Sequence, residues 1–171
     1  MNWDEYFLNL CNAVAENSKC FSRKIGSVLV RDKVVISTGY NGPPSGVPHC
    51  DNRYLLDSYL REQIINKKVV NIEDYKICPR RLLGYKSGEG LEICIAAHSE
   101  RNCLISAAKN GISTKDTILY MNCPISCKDC FIEIINAGVK EIVVTSLEYY
   151  DPVTKYLVES SNIKIRKFDC V

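Results

Sequence analysis

Three things that the sequence lacks narrow the kind of protein it encodes. No apolar run approaches the roughly 18 residues of a membrane-spanning helix. Acidic residues come early, and no basic segment precedes an apolar stretch, so no export signal is found. The 22 basic and 20 acidic residues nearly balance, without a long run of one sign, which argues against a nucleic-acid scaffold. We therefore expect a cytoplasmic protein, or one of the host cytoplasm if a phage encodes it, with no membrane or nucleic-acid partner.

Histidine is scarce, at two residues, whereas the chain has ten cysteines. Such a count is typical of a secreted disulfide framework or of reduced cysteines that include metal ligands. The missing export signal favours the second interpretation. The pair Cys127 and Cys130 supports it, because two thiolates three residues apart can reach one tetrahedral ion. Cys11, Cys103 and Cys170 have no such spacing, and we expect them to be small buried apolar side chains.

The order of helix and strand patterns predicts an α/β fold. Residues 3–17 have the apolar spacing of an amphipathic helix, and the β-branched segments 25–31 and 33–39 predict a hairpin. From about residue 96, helical and strand patterns alternate, which is typical of crossover units on a sheet covered on both faces. A chain of 171 residues with 46% apolar composition suits one domain. We predict a single domain over 1–171 with an insertion at about 51–95.

One group of residues combines the chemistry of a metal site with that of an acid–base catalyst. His98 lies in H-S-E near the start of the first crossover helix, and Cys127 and Cys130 lie at the start of the next helix. Neighbouring helix N-termini meet at one end of such a sheet, so the three side chains can converge. Three ligands leave one zinc position open for a water, and Glu100 is placed to take its proton. The alternatives are a structural zinc with Cys123 as fourth ligand, and Glu100 as an ordinary first-turn helix acid.

These motifs resemble a known signature. H-x-E followed by C-x-x-C on the next helix is similar to the pattern of zinc nucleobase and nucleotide deaminases. The segment GYNGPPSG resembles a loop of the deoxycytidylate deaminases, and INAGVKEIVVTSLEYYD with IRKF resembles the C-terminal half of the same family. One position departs from the pattern: the family has proline directly before the first cysteine, whereas this chain has Ser126 there and Pro124 two residues earlier.

The resemblance implies a fold, a reaction and a set of site residues. The fold is a three-layer α/β/α arrangement with a mixed central sheet of about five strands. The reaction is hydrolysis of dCMP to dUMP and ammonia, which supplies a precursor of dTTP. The resemblance implies that three residues bind the zinc: His98, Cys127 and Cys130. It implies that Glu100 transfers protons, that Asn41 contacts the deoxyribose and that Tyr149 lies near the phosphate. The alternatives are that Asn41 is a turn residue with positive φ and that Tyr149 is a core aromatic.

The same resemblance suggests regulation and assembly. It implies a homohexamer that dCTP activates and dTTP inhibits, with Mg²⁺ accompanying the triphosphates. A triphosphate needs backbone amides and cations, so the expected region contains Ser22, Lys24 and Gly42.

A second, structural metal is a further expectation from the family. Cys20 and Cys50 resemble two of its ligands, and both Cys94 and Cys78 are candidates for the remaining ones. Other functions stay open as well. The same zinc chemistry serves deaminases of tRNA, of other polynucleotides and of free nucleosides, and a chain with these ligands could also be a non-catalytic, zinc-stabilised binding module.

Overall fold

The computed structural model describes residues 1–67 and 76–169, which form two compact units. The first unit consists of Met1–Ser18, Ile25–Asn41 and the residues from His98 on. The second consists of Lys19–Lys24 and Gly42–Ala97, and it contains the segment predicted to be an insertion. The single-domain description stays a prediction, and Cys170 lies outside the described residues.

In chain order, the helices and strands are α1 (Trp3–Ala15), β1 (Gly26–Arg31), β2 (Val34–Tyr40), α2 (Cys50–Leu56), α3 (Ser58–Asn66), α4 (Pro79–Leu82), a 3₁₀ turn (Leu91–Ile93), α5 (Ser99–Lys109), β3 (Ile118–Met121), α6 (Lys128–Asn136), β4 (Glu141–Val144), α7 (Pro152–Ser160) and β5 (Lys164–Lys167). None of the helices in the described ranges combines the length and the apolar character needed to cross a membrane.

The first unit is built on a five-stranded mixed sheet with the order β2-β1-β3-β4-β5. Strand β1 is antiparallel to both β2 and β3, whereas β3, β4 and β5 run parallel. Strands β1 and β2 join through Asp32 and Lys33, whose φ angles of 50° and 64° are those of a tight hairpin turn. The predicted hairpin and the mixed sheet are therefore confirmed.

Alternate residues of the strands face two different helix layers, as the pleat of a strand requires. Leu29, Leu119 and Ile142 face a core that α5 and α6 complete with Cys103, Ala107, Phe131 and Ile134. Val28, Tyr120 and Val143 face the opposite core, which α1 covers with Phe7 and Cys11. Cys11 and Cys103 are fully buried, as predicted. The three-layer arrangement follows from these two cores and confirms the predicted fold class.

Helix α5 packs unusually close to β2. A Cβ atom on Gly39 would lie 2.2 Å from the backbone nitrogen of Cys103 and 2.4 Å from the carbonyl oxygen of Ser99, so only glycine fits there. One turn of α5 is also tied to the same strand, because the Ser37 hydroxyl donates to the Cys103 carbonyl at 2.7 Å. These contacts hold α5 against β2.

Both helices that begin at the candidate site are followed by a glycine with positive φ. Gly111 follows α5 with a φ of 66°, and Gly138 follows α6 with a φ of 73°. These left-handed conformations end a helix and strongly favour glycine. Helix α7 begins with Pro152 after Asp151, whose carboxylate accepts from the Thr154 amide.

The second unit has a small core of its own. The residues Tyr54, Leu60, Ile64, Leu83 and Ile93 pack together, and this core covers one face of α3. Arg53 joins Asp57 at 2.7 Å and also donates to the carbonyl of Ile93.

Candidate functional site

Two of the predicted metal ligands stand immediately before helices. His98 is the N-cap of α5 and Cys127 is the N-cap of α6, both with extended backbone, and Cys130 is the third residue of α6. An N-cap side chain usually accepts a hydrogen bond from its own helix. Neither His98 nor Cys127 does so, and their side chains are directed towards each other instead.

The three predicted ligands converge. Nδ1 of His98 lies 3.5 Å from Sγ of Cys127 and 3.3 Å from Sγ of Cys130. With Zn–S bonds of about 2.3 Å and a Zn–N bond of about 2.0 Å, tetrahedral geometry sets N and S about 3.5 Å apart. Their ligand atoms lie within 4.8 Å of one another, and within 1–67 and 76–169 no other trio of histidine, cysteine or acidic residues does so. The donor set and its spacing therefore fit a zinc ion.

Hydrogen bonds within the site shift the pKa values of its two thiols in opposite directions. Hydrogen bonding from Cys130 and then from His98 lowers the pKa of Cys127 to about 4, although burial opposes this shift. The same hydrogen bond, together with burial, raises the pKa of Cys130. The hydrogen bond to Cys127 also raises the pKa of His98. The lowered pKa of Cys127 favours the thiolate, which is the form of cysteine that binds metals.

Glu100 lies in the first turn of α5 and is only 4% exposed. Its Oε2 accepts a hydrogen bond from the Ser99 hydroxyl at 3.0 Å. It is not a member of the three-ligand group. A helix acid that served only the helix dipole would not need this burial, since that effect operates on exposed side chains as well.

Two serines beside Glu100 were missed by the sequence analysis. Ser99 and Ser27 are fully buried, and their hydroxyl oxygens are 2.7 Å apart. The available signals were a serine inside the apolar strand segment 25–31 and the serine between His98 and Glu100.

Cys123, the alternative fourth ligand, lies outside the group formed by the three predicted ligands. It follows β3 and packs, partly buried, against the core between the sheet and α5 and α6. The unusual Ser126 is 3% exposed and donates a hydrogen bond to Sδ of Met121 at 3.5 Å. A hydroxyl anchored to the end of β3 thus occupies the position where the family has proline.

Asn41 and Tyr149 occupy different environments. Asn41 is buried, and its Oδ1 accepts from the Ile25 amide at 2.8 Å. Its φ is not positive, so the turn-residue alternative is wrong. Tyr149 is 43% exposed between β4 and α7, so it is not a core aromatic. The substrate roles of both residues stay predictions.

Three other cysteines of the second unit influence the pKa of Cys50. Burial and then the neighbouring Cys78, Cys94 and Cys20 raise the pKa of Cys50 to about 11. Their ligand atoms do not form a group within 4.8 Å in the described part of the chain. The second metal therefore stays a prediction.

The predicted regulator residues also belong to the second unit. Ser22 and Lys24 are exposed, whereas Gly42 is buried. Gly42 is paired with Ala97 through two backbone hydrogen bonds of 3.1 and 2.8 Å. Its amide is therefore already engaged, and any triphosphate contact at this residue would need a different group.

Comparisons with known proteins agree with this site. The family described as the cytidine and deoxycytidylate deaminase zinc-binding region matches residues 1–146. A deoxycytidylate deaminase of Mycobacterium phage D29 is 31% identical over 147 residues, which cover 83% of this chain and 93% of the phage protein. The deoxycytidylate deaminase of Schizosaccharomyces pombe is 28% identical over 98% of this chain, and that of Saccharomyces cerevisiae matches equally well. The chain spans only 44% and 45% of those two yeast proteins.

Solved structures share the fold. The crystal structure of dCMP deaminase from the cyanophage S-TIM5 in complex with dCMP and dUMP has a TM-score of 0.64 and 21% identity. The likeness covers 95% of this chain and 94% of the cyanophage chain. Because the family match extends over residues 1–146 and the phage D29 relative is matched along almost its whole length, this chain belongs to the cytidine and deoxycytidylate deaminase family.

Proposed function

We propose that this chain is a zinc-dependent deaminase that hydrolyses dCMP to dUMP and ammonia, a step in making dTTP precursors. One observation carries the proposal: a histidine and two cysteines, His98, Cys127 and Cys130, converge beside the buried carboxylate of Glu100. The names of the phage and yeast relatives, and the dCMP and dUMP in the cyanophage structure, support this choice of substrate.

Within this mechanism, His98, Cys127 and Cys130 would hold the metal and Glu100 would move protons. A bound zinc ion supplies Lewis acidity that lowers the pKa of water towards neutrality. Glu100 accepts a proton from the attacking water and delivers it to the ring nitrogen N3, while the water oxygen joins C4. Glu100 then transfers the remaining hydroxyl proton to the amine, which leaves as ammonia and completes dUMP.

A substrate panel tests this proposal. Zinc-loaded protein is incubated with dCMP, CMP, deoxycytidine, dCTP or a short RNA, and ammonia release is measured. We expect dCMP to react fastest and His98→Ala to lose both zinc and activity. Preference for RNA would indicate a polynucleotide deaminase, and preference for deoxycytidine a nucleoside deaminase. A zinc-bound protein inactive on every substrate would be a binding module, which contradicts the proposal.

Asn41 is proposed to contact the deoxyribose and Tyr149 the phosphate of the substrate. Tyr149→Phe should then raise KM for dCMP while leaving turnover of deoxycytidine unchanged, because only dCMP carries the phosphate. The neighbouring Tyr150 has nearly the same exposure, 41% against 43%, so Tyr150→Phe is the matched control. An effect confined to Tyr150→Phe would move the assignment by one residue.

Regulation and assembly are proposed from the family resemblance. The chain is proposed to form a homohexamer that dCTP activates and dTTP inhibits, with Mg²⁺ bound to the triphosphates. The exposed Ser22 and Lys24 supply a hydroxyl and a cation for such a ligand. Activity at fixed dCMP is measured across dCTP and dTTP concentrations, with light scattering for the assembly. Flat activity, or a mass other than six chains, would contradict the corresponding part.

A second, structural zinc is proposed at the cysteines of the second unit, Cys20, Cys50, Cys78 and Cys94. Its support is that burial, and then the neighbouring thiols of Cys78, Cys94 and Cys20, raise the pKa of Cys50. Metal analysis should give two zinc ions per chain, and Cys50→Ser should reduce the count to one without removing the zinc at His98. One zinc per unaltered chain would exclude this site.

A further inference from the structure

The carboxylate of Glu100 stands at the end of a short hydrogen-bonded series of buried hydroxyl groups. The Ser27 Oγ lies 2.7 Å from the Ser99 Oγ, and the Ser99 Oγ lies 3.0 Å from Oε2 of Glu100. Ser27 and Ser99 are fully buried. Ser27 belongs to β1 and Ser99 to α5, so this series of hydrogen bonds connects the sheet to the first turn of the helix that carries Glu100.

The direction of the hydrogen bonds follows from the number of protons available. The Ser99 hydroxyl donates to Oε2 of Glu100. The single proton of Ser99 is then used, so Ser99 accepts from Ser27, and Ser27 donates. The arrangement has one orientation, which fixes the Ser99 hydroxyl on Oε2.

The other carboxylate oxygen is in a different situation. No hydrogen bond in the described part of the chain engages Oε1 of Glu100. Every fully buried side-chain oxygen or nitrogen there has a partner. Oε1 therefore reaches the accessible surface, although Glu100 as a whole is only 4% exposed. One oxygen is held by the protein and the other is open to a small molecule.

We infer that Ser99, supported by Ser27, is a positioning residue that holds Oε2 so that Oε1 alone exchanges protons with the reactants. This inference rests on the proposed deaminase function and deepens it. A rotating carboxylate would present either oxygen in several orientations, whereas a fixed one is already aligned for transfer, which lowers the barrier of the reaction rather than strengthening substrate binding.

The test compares four variants with the zinc-loaded, unaltered chain. Ser99→Ala removes the donor to Glu100, and Ser27→Ala removes its support. Ser27→Ala/Ser99→Ala removes both hydroxyls. Ser37→Ala is the matched control, because it also removes a buried hydroxyl bond to α5 but one that ends on the Cys103 carbonyl. Zinc content, Tm, and kcat and KM for dCMP are measured for each.

The positioning role predicts a particular split among these readouts. Ser99→Ala should lose about 10-fold in kcat, as other supporting hydrogen bonds at metal sites do, with unchanged KM and zinc content. The double variant should have a higher Tm than Ser99→Ala, because the Ser27 hydroxyl is no longer buried without its partner, yet its kcat should stay as low. Ser37→Ala should lower Tm while keeping kcat. Ser27→Ala should show a smaller loss in kcat than Ser99→Ala.

Two results would overturn the inference. A kcat of Ser99→Ala equal to that of the unaltered chain would show that the hydroxyl does not hold the carboxylate. A kcat that follows Tm across all four variants, the control included, would show a merely structural role. Both results leave the proposed function standing, whereas an unaltered, zinc-loaded chain that releases no ammonia from dCMP overturns the proposed function and this inference together.

Discussion

Replacing Glu100 by glutamine isolates proton transfer from every other property of the site. The amide has nearly the shape of the carboxylate, and its carbonyl oxygen can still accept from the Ser99 hydroxyl, which lies 3.0 Å from Oε2 in the unaltered chain. The buried position, 4% exposed, therefore keeps its hydrogen bond. We expect Glu100→Gln to fold normally and to retain zinc, because Glu100 is not one of the three ligands.

The size of the effect follows from the chemistry that the amide cannot perform. A positioned acid or base contributes about 10²- to 10⁴-fold to a rate. At about 1.4 kcal/mol per tenfold, this range corresponds to roughly 3–5 kcal/mol of lost transition-state stabilisation. We therefore expect kcat for dCMP to fall by at least about 100-fold while KM changes little.

The assay measures ammonia release from dCMP together with zinc content and Tm. Glu133→Gln is the matched control, because it makes the same substitution on α6 at a residue that pairs with Arg101 and is 45% exposed. The control should keep kcat within about twofold, since exposed ion pairs contribute little. Equal turnover by Glu100→Gln and the unaltered chain would refute the role of Glu100 in proton transfer. Loss of zinc from Glu100→Gln would show that Glu100 contributes to zinc binding.

Three further predictions follow from other contacts. In metal-free protein, Cys127 should react with iodoacetamide at a rate that changes little between pH 8 and pH 6, because its pKa of about 4 keeps it ionised. Bound zinc should protect Cys127 from this reaction. A rate that falls with pH, as it does for an ordinary thiol, would contradict the prediction. Gly39→Ala should destabilise the fold by at least about 1–3 kcal/mol, because the new methyl group would lie 2.2 Å from the backbone of α5. Urea unfolding measures this change. Unchanged stability would mean that α5 can move away from β2. Asp4→Asn should cost about 1–3 kcal/mol at pH 7 through the lost hydrogen bonds from Arg166. Burial alone would raise the pKa of Asp4, but Arg166 and the Asp169 amide lower it, so the stabilisation is present above the usual value of 3.8 and disappears as pH falls through the lowered pKa. The Tm difference between Asp4→Asn and the unaltered chain should therefore shrink in acid, and a difference independent of pH would contradict the assignment.

The ligand set and the helices that carry it were predictable because they depend on local sequence. Cysteines three residues apart at the start of a helix reach one ion whatever the rest of the chain does. The glycines at 111 and 138 end their helices by backbone conformation alone, and the β-branched segments 25–31 and 33–39 indicated the hairpin strands. The position of His98 as the N-cap of α5 came only from the structure, since helix ends are set by hydrogen bonds that the sequence pattern does not contain.

The environment of each side chain was decided only by the tertiary structure. Ser27 and Ser99 are 72 residues apart in the chain, and no local pattern indicates that their hydroxyls meet beside Glu100. Gly39 could be understood only once α5 was seen against β2, because the reason for glycine is the backbone of another element. The sequence by itself thus determined which groups could bind a metal and move a proton. Packing decided how far apart those groups lie and which oxygen of the carboxylate is held, because distances between remote residues are set by the sheet and helices that separate them.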